Sequence, residues 1–330
     1  MAASRCNATV LLVAAFAADT LAHPQLHRRA LARLGCRVVA LDLDRGPGWV
    51  GRLIGRTTLQ HRLGCALARH APDLVLVLDA PAVPAETVAS LRRASHAKWI
   101  CWVSDELDGA RLAALVAAAP AFDAVFVAGM DAAEMLDEVG LPRAGYLPAG
   151  CDPSVHRPLT ARDRFRANVV FAGHATARRE RLLGQLTEFG LAVWGPGWRR
   201  TPLRDYCRGE RLSLPDYVRA YAGASVGVNI HRDEDRPGAG CNRRLFELAA
   251  IGVPQVCDAR SDLCRHFEPG AEVLVYHDEG ELKALVRETL HDPAAAGQLA
   301  AAARRRALEQ HTLMHRMAAL LDTALLSHAV

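Results

Sequence analysis

The sequence predicts an α/β protein of two doubly wound domains in tandem, and three observations lead to this fold class. Short, continuous apolar runs recur along the chain, which is typical of parallel strands covered on both faces. Helix-length segments alternate with these runs. A stretch rich in Pro and Gly at 148–167 interrupts the alternation, which then restarts. With 330 residues, 51% of them hydrophobic, the chain has the length for two Rossmann-like domains, which we expect over 1–150 and 151–330.

In the first half, apolar runs predict strands and the segments between them predict helices. The predicted strands are 9–16, 37–43, 73–79, 98–103 and 123–128. The predicted helices are 24–34, 59–70, 84–95, 109–119 and 131–139. Gly35 and Gly140 fall where helices should end, and residues 44–58, rich in Gly and Arg, are expected to form an irregular connection.

The second half repeats the pattern. The predicted strands are 168–172, 191–194, 225–230, 254–258 and 272–276. The predicted helices are 177–189, 215–222, 242–251, 279–291 and 294–309, followed by a last helix at about 312–328.

Composition excludes several classes of function. A net charge of +4 from mixed charges argues against a nucleic-acid-binding protein. The nine cysteines form no Cys-x-x-Cys pair and lie mostly in apolar runs, which indicates buried thiols in a reducing cytoplasm. No apolar stretch reaches the roughly 20 residues of a membrane span. Residues 8–18 could pass for a signal peptide, but we favour a buried first strand, because the elements that follow require it.

The strongest candidate for a binding site is 240–258, where a Gly-containing loop enters a helix. Asn242, Arg243 and Arg244 occupy the first turn, and Glu247 follows one turn later. A helix N-terminus attracts anions because its first N–H groups lack partners, and Arg offers a charged fork for phosphate. A carboxylate further along could accept two ribose hydroxyls. The alternative is a solvated first turn with Glu247 in a surface ion pair.

Polar residues at other strand ends are further candidates. Asn229 and His231 end the strand before this helix, and ligands of open α/β sheets bind beyond the carboxyl ends of strands. Gly173, with Arg179 on the following helix, forms a weaker phosphate-binding pattern. Trp198, in a Gly-Pro-Gly turn, could stack on a base or cap the core, and both interpretations stay open.

In the first half, His23 and Asp105 each follow a predicted strand and face the same rim. A His activated by an Asp is a plausible base for an acceptor hydroxyl. The alternative is a surface His and a helix N-cap Asp, and Asp19 is a rival partner for His23. The first strand lacks Gly-x-Gly-x-x-Gly, which argues against a nicotinamide cofactor, and no motif for a metal site is present. The charged run 232–236 is expected to be a solvated loop.

Motifs in a characteristic order point to a known family. They lie at 73–78, 102–105, 146–153, 171–173 with Arg179, 242–247, 252–254, 267–272 and 311–316. In this order and spacing, residues of about 70–325 resemble the CgeB-like glycosyltransferases, which have the GT-B fold.

The resemblance implies two domains that face each other across a cleft and a last helix that crosses back to the first domain. It also implies donor binding by the second domain, acceptor binding by the first, and no obligatory metal. We expect no other cofactor, since the nucleoside-diphosphate sugar is a co-substrate. Glu247 would hold the ribose, and Asn242 and Arg244 would lie near the diphosphate or donor sugar. Two departures matter: Ala239 stands where the retaining GT-B pattern has an acid, and the first 60 residues match poorly.

We therefore expect a cytoplasmic glycosyltransferase of the hexosyltransferase type. It would move a sugar from a nucleoside-diphosphate donor, such as a UDP-sugar, to a hydroxyl of an unspecified acceptor. His23 with Asp105 would be the base if the enzyme inverts. The alternatives are a 2-epimerase-like isomerase of the same fold and a non-catalytic nucleotide-sugar-binding scaffold. The pattern leaves open the donor base, the stereochemistry and the oligomeric state.

Overall fold

Two parallel β-sheets with flanking helices make up the computed structural model. It describes residues 7–16, 24–44, 55–78, 83–104, 107, 109–141, 144–231 and 240–325. Within these residues each sheet has six strands. The predicted fold class is confirmed: the chain alternates strands and helices in both halves.

The first unit comprises the chain up to Ala149 and a second segment that begins at Leu313. Its strands are β1 Thr9–Ala14, β2 Arg37–Asp42, β3 Leu74–Leu78, β4 Lys98–Val103, β5 Ala124–Val127 and β6 Ala144–Tyr146. Its helices are α1 Pro24–Arg33, α2 Gly55–His70, α3 Ala85–Arg93, α4 Gly109–Ala118, α5 Met130–Glu138 and, at the end of the chain, α11 Leu313–Leu325. The strand order is β2-β1-β3-β4-β5-β6.

Two details of the first unit differ from the expectation. Helix α2 begins at Gly55, so part of the connection expected to be irregular is helical; residues 45–54 lie outside the described residues. Strand β6 was not predicted, because its three half-buried residues form no apolar run.

The last helix belongs to the first unit, as expected for this fold class. Helix α11 packs against α1 and β4. The Nε–H of Arg316, on α11, donates to the carbonyls of Pro148 and Ala149 at 2.9 and 3.1 Å. These bonds anchor the start of α11 to the segment that follows β6.

The second unit comprises Gly150–Asp235 and Cys241–Thr312. Its strands are β7 Ala167–Ala172, β8 Leu191–Trp194, β9 Cys207–Gly209, β10 Ala224–Asn229, β11 Gln255–Asp258 and β12 Leu274–Tyr276. Its helices are α6 Ala177–Gly184, α7 Leu214–Ala222, α8 Arg243–Ile251, α9 Glu279–His291 and α10 Pro293–Gln310. Helix α6 is shorter than the predicted 177–189, and a short 3₁₀ turn covers Thr187–Phe189. Strand β9 was missed because it is short and carries an Arg between two small residues.

The order of the second sheet, β12-β11-β10-β7-β8-β9, reverses between β7 and β10. The chain runs outwards from β7 on one side and from β10 on the other, so the connections that leave these two neighbours diverge. The crevice beyond their carboxyl ends is where ligands of open α/β sheets bind.

A glycine allows α8 to pack closely on β10. A Cβ added at Gly227 would lie 2.4 Å from Cδ2 of Leu248, so a larger residue would force the Leu248 side chain or the helix to shift. This contact helps to set where the N-terminus of α8 lies relative to the carboxyl end of β10. In the described part of the chain, no helix is both long and apolar enough to cross a membrane.

Candidate functional site

The N-terminus of α8 is fixed by side chains on both sides of the helix start. Asn242 is the N-cap, and its Oδ1 accepts a hydrogen bond from the Leu245 N–H at 3.2 Å. The main-chain N–H of Asn242 donates to Nε2 of His231 at 3.0 Å. At the other end, Gly252 stops the helix with a left-handed φ of 81°.

Two asparagines join α8 to the end of β10. Nδ2 of Asn229 donates to Oδ1 of Asn242 at 3.2 Å, and Nδ2 of Asn242 donates to Oδ1 of Asn229 at 2.9 Å. Asn229 is fully buried. This reciprocal amide pair holds the two predicted site residues in a single arrangement.

The guanidinium of Arg244 spans the point where the strand order reverses. Its Nη1 donates to Oδ1 of Asn229 at 3.2 Å, and its Nη2 donates to the Ala172 carbonyl at the end of β7 at 2.6 Å. A Cβ added at Gly173 would lie 3.2 Å from this Nη2, so the missing side chain leaves room for the guanidinium. Arg244 therefore places a cation beside the Gly173 turn, at the crevice expected for a ligand.

His231 is held by a buried carboxylate that sequence reasoning did not single out. Nδ1 of His231 lies 2.5 Å from Oδ1 of Asp258, at the carboxyl end of β11. Because Nε2 accepts from the Asn242 N–H, the proton of the neutral ring is assigned to Nδ1. Burial by itself raises the pKa of Asp258, but His231, Arg260 and Arg178 outweigh it and hold the pKa well below its usual range. The signal available in the sequence was an Asp at the end of an apolar strand.

Arg179 is buried, and its guanidinium bonds to the main chain. Nη1 donates to the His174 carbonyl at 3.1 Å, and Nη2 donates to the Ile230 carbonyl at 2.8 Å. The main-chain N–H of Arg179 donates to Oγ1 of Thr176, the N-cap residue of α6. Arg179 thus ties the turn after β7 to the end of β10.

Trp198 supports the same turn from the core. Its ring is fully buried and packs edge-on against Phe171, with ring centroids 5.9 Å apart. Its Nε1 donates to the Gly173 carbonyl at 2.8 Å. Between the two interpretations of Trp198, this burial favours the core-capping one.

Glu247 lies one turn into α8 and is only 4% exposed. Its Oε2 accepts from the Tyr217 hydroxyl at 2.6 Å. Its Oε1 lies 3.6 Å from Nε of Arg243 and 3.8 Å from Nε2 of His156. Glu247 is thus a buried carboxylate and not a member of a surface ion pair. Tyr217 lies in an amphipathic helix and His156 lies in the predicted linker. The sequence carries no signal for a binding site at either position.

The structure brings the predicted residues of the second half together. All nine stand at the carboxyl ends of β7, β8 and β10 or on the helices that follow: Gly173, Arg179, Trp198, Asn229, His231, Asn242, Arg243, Arg244 and Glu247. The other predictions, His23 and Asp105 with the rival Asp19, lie outside the described residues, as do Ala239 and the run 232–236.

Two buried groups in the described residues each offer three ligand atoms that lie within 4.8 Å of one another. The first group is His231, Cys257 and Asp258, and the second is Cys241, Asp262 and His266. In the first group, Nδ1 of His231 is hydrogen-bonded to the Asp258 carboxylate. In the second group, the Cys241 N–H donates to both carboxylate oxygens of Asp262. Burial raises the pKa of the Cys241 and Cys257 thiols well above the usual value, and the neighbouring carboxylates add to the shift. Both groups are hydrogen-bonded clusters in the interior of the second unit.

Residues 178–322 match a family model described as glycosyl transferase-like, a span from α6 to α11 that is less than half of the chain. No curated protein sequence matches the chain.

Solved structures match over nearly the whole chain. Sucrose-phosphate synthase from Thermosynechococcus elongatus matches with a TM-score of 0.72 and 16% identity over 97% of this chain and all of that one. Anabaena Alr3699/HepE in complex with UDP-glucose matches with a TM-score of 0.65 and 12% identity over 97% and 100%. A glycosyltransferase from Rickettsia africae ESF-5 matches with a TM-score of 0.66 and 10% identity over 96% and 98%. At these identities the likeness establishes the fold, which is of the GT-B type.

Proposed function

We propose that the second unit binds a nucleoside-diphosphate sugar and that the protein transfers the sugar to a hydroxyl of an acceptor. The observation that carries the proposal is Arg244, whose guanidinium joins the ends of β7 and β10 at the point of strand reversal. The N-terminus of α8 lies beside it, and the Glu247 carboxylate follows one turn along the helix. A cationic fork, a helix N-terminus and a carboxylate in this order suit a diphosphate joined to a ribose.

In this proposal, Arg244 and the N-terminus of α8 neutralise the charge that develops on the leaving diphosphate. Pre-organised donors stabilise such charge effectively because they need no reorientation during the reaction. Asn229 and Asn242 hold the guanidinium and the helix start in place before the donor arrives. Glu247 accepts the hydroxyls of the ribose.

The comparisons support the choice of substrate class. The family match at 178–322 covers the helix that carries Asn242, Arg244 and Glu247. One protein of the same fold has been solved with UDP-glucose, which makes UDP-sugars the first donors to test. The finer assignment to the CgeB-like glycosyltransferases rests on the motif series, and it forms part of this proposal together with the hexosyltransferase type.

We assign the acceptor to the first unit, with His23 and Asp105 as the base if the reaction inverts. Arg244 and the helix N-terminus supply positive charge at the diphosphate, so the proposed transfer uses no metal ion. No disulfide joins the eight cysteines of the described residues, which supports the proposed cytoplasmic location.

The test is a thermal-shift panel with UDP, GDP, dTDP, CDP, NAD and the common sugar conjugates. It compares the wild-type protein with Arg244→Ala, Glu247→Gln and, as a matched control, Arg305→Ala on the exposed surface of α10. A ligand that binds only the folded state raises Tm with its occupancy. We expect one nucleoside diphosphate to shift the wild type and the control, but not the two site variants.

No shift with any diphosphate, or a shift with NAD alone, would overturn the donor site. Incubation of the bound donor with candidate acceptors then tests the chemistry. A change in the donor sugar without an acceptor would indicate the isomerase instead, and binding without any turnover would indicate the scaffold.

A further inference from the structure

The Glu247 carboxylate is contacted on its buried side by two residues outside every motif. The Tyr217 hydroxyl donates to Oε2 at 2.6 Å, and Nε2 of His156 lies 3.8 Å from Oε1. Tyr217 is 2% exposed and His156 is 1% exposed, so both contacts are shielded from water. Such an environment restricts the rotation of a carboxylate and strengthens the bonds that it makes.

A tight turn aims His156 at Glu247. Oδ1 of Asp152 accepts from the N–H and the hydroxyl of Ser154, at 2.9 and 2.7 Å, which closes the turn. The Asp152 N–H donates to Nδ1 of His156 at 3.0 Å. Because Nδ1 accepts this bond, the neutral ring carries its proton on Nε2, the nitrogen that faces Glu247.

Helix α7 supplies Tyr217 in a similarly defined way. Ser213 caps the helix by accepting from the Asp216 N–H. Tyr217 and Tyr221 lie on one face of α7, with ring centroids 5.0 Å apart. Burial raises the pKa of Tyr217 well above its usual value, and the charge of Glu247 raises it further, so the hydroxyl stays protonated and donates to the carboxylate.

We propose that Tyr217 and His156 are positioning residues that hold Glu247 in the orientation in which it accepts both hydroxyls of a ribose. The site therefore selects ribonucleotides over 2′-deoxyribonucleotides. This inference rests on the proposed function, because it specifies how the same site recognises the sugar of the nucleotide. A site built to accept a hydroxyl rejects the analogue without it, since a buried acceptor is then left unsatisfied.

The test is calorimetric titration with the diphosphates of uridine, guanosine, cytidine and adenosine, each beside its 2′-deoxy form. We expect the wild type to bind the preferred ribonucleotide at least about tenfold more tightly than the deoxy form, the cost of one hydrogen bond to a charged group. In Tyr217→Phe that ratio should fall by about fivefold or more, with little change in the affinity for the deoxy form.

Tyr221→Phe is the matched control. It removes a hydroxyl one turn along the same helix, and that hydroxyl accepts its hydrogen bond from the Ala172 N–H. A purely structural disturbance of α7 would weaken the binding of the ribonucleotide and of its deoxy form equally, in Tyr217→Phe and in Tyr221→Phe. We therefore expect Tyr221→Phe to leave the ratio unchanged.

His156 provides an independent route if Tyr217→Phe does not fold. His156→Phe should lower the ratio, and His156→Gln should restore part of it, because the Gln amide can donate from a similar place. Binding of a ribonucleotide with the same ratio in Tyr217→Phe and His156→Phe would overturn the inference and leave the proposed function standing. If no nucleoside diphosphate binds the wild type, both this inference and the proposed function are refuted.

Discussion

Replacing Gly227 by Ala tests whether the contact between β10 and α8 sets the geometry of the site. The new Cβ would lie 2.4 Å from Cδ2 of Leu248 and 3.2 Å from Cδ1 of Tyr221. Ordinary carbon contacts begin at about 3.5 Å, so the Leu248 side chain must move away by about 1 Å. Leu248 and Tyr221 are both fully buried, and because protein interiors are close-packed we expect the helix to move together with the Leu248 side chain.

Overpacking of this kind costs about 1–3 kcal/mol. For a unit of this size the loss lowers Tm by roughly 2–4 °C per kcal/mol, hence by about 2–12 °C. Because the displaced helix carries Arg244 and Glu247, we also expect the affinity for the nucleotide to fall by about tenfold or more. The assays are thermal unfolding by circular dichroism and calorimetric titration.

A double-mutant cycle separates the clash from a general effect of Ala. Leu248→Ala removes the contacted methyl group, so the double variant should be more stable than the sum of the two single changes allows. Gly297→Ala, in α10 with open space around the position, should instead stabilise the helix by about 0.5–1 kcal/mol. An unchanged Tm in Gly227→Ala, or strict additivity in the cycle, would refute the reasoning.

Three further predictions follow from the same geometry. Arg244→Lys keeps the charge but cannot span Ala172 and Asn229, so nucleotide affinity should fall by about 10- to 100-fold in titrations, whereas Arg305→Ala should bind normally. Gly195→Ala places a Cβ 2.1 Å from the Gly173 carbonyl oxygen, at a φ of +130°. We therefore expect the free energy of unfolding in urea to fall by more than about 2 kcal/mol. A smaller loss of stability than that of Gly227→Ala would contradict this prediction. The pKa of Asp258 is lowered in the folded state, so its contribution to stability is present above its ordinary value of 3.8 and is lost as the pH falls further. Asp258→Asn should therefore be less stable at neutral pH and should lose less stability on acidification than the wild type; parallel pH profiles would argue against this role.

Local signals in the sequence were sufficient for most elements. The run Leu74–Leu78 is buried at every position, as a strand covered on both faces must be. Asn242 and Gly252 mark the start and end of α8, because capping depends on residues within one turn. Strands β6 and β9 escaped prediction because they are short edge strands, formed on the free edge of a neighbour and not by their own apolar pattern.

The sequence by itself determined the alternation of strands and helices, the start of α8 and the residue types at its first two turns, all of which depend on near neighbours. Only the tertiary structure decided which of these residues meet. Arg244 reaches the carbonyl of Ala172, 72 residues earlier, because β10 lies beside β7 and not beside β9. Glu247 meets Tyr217 across 30 residues because α7 and α8 pack together. Strand order and helix packing arise from the burial of whole faces, a long-range property that no local pattern encodes.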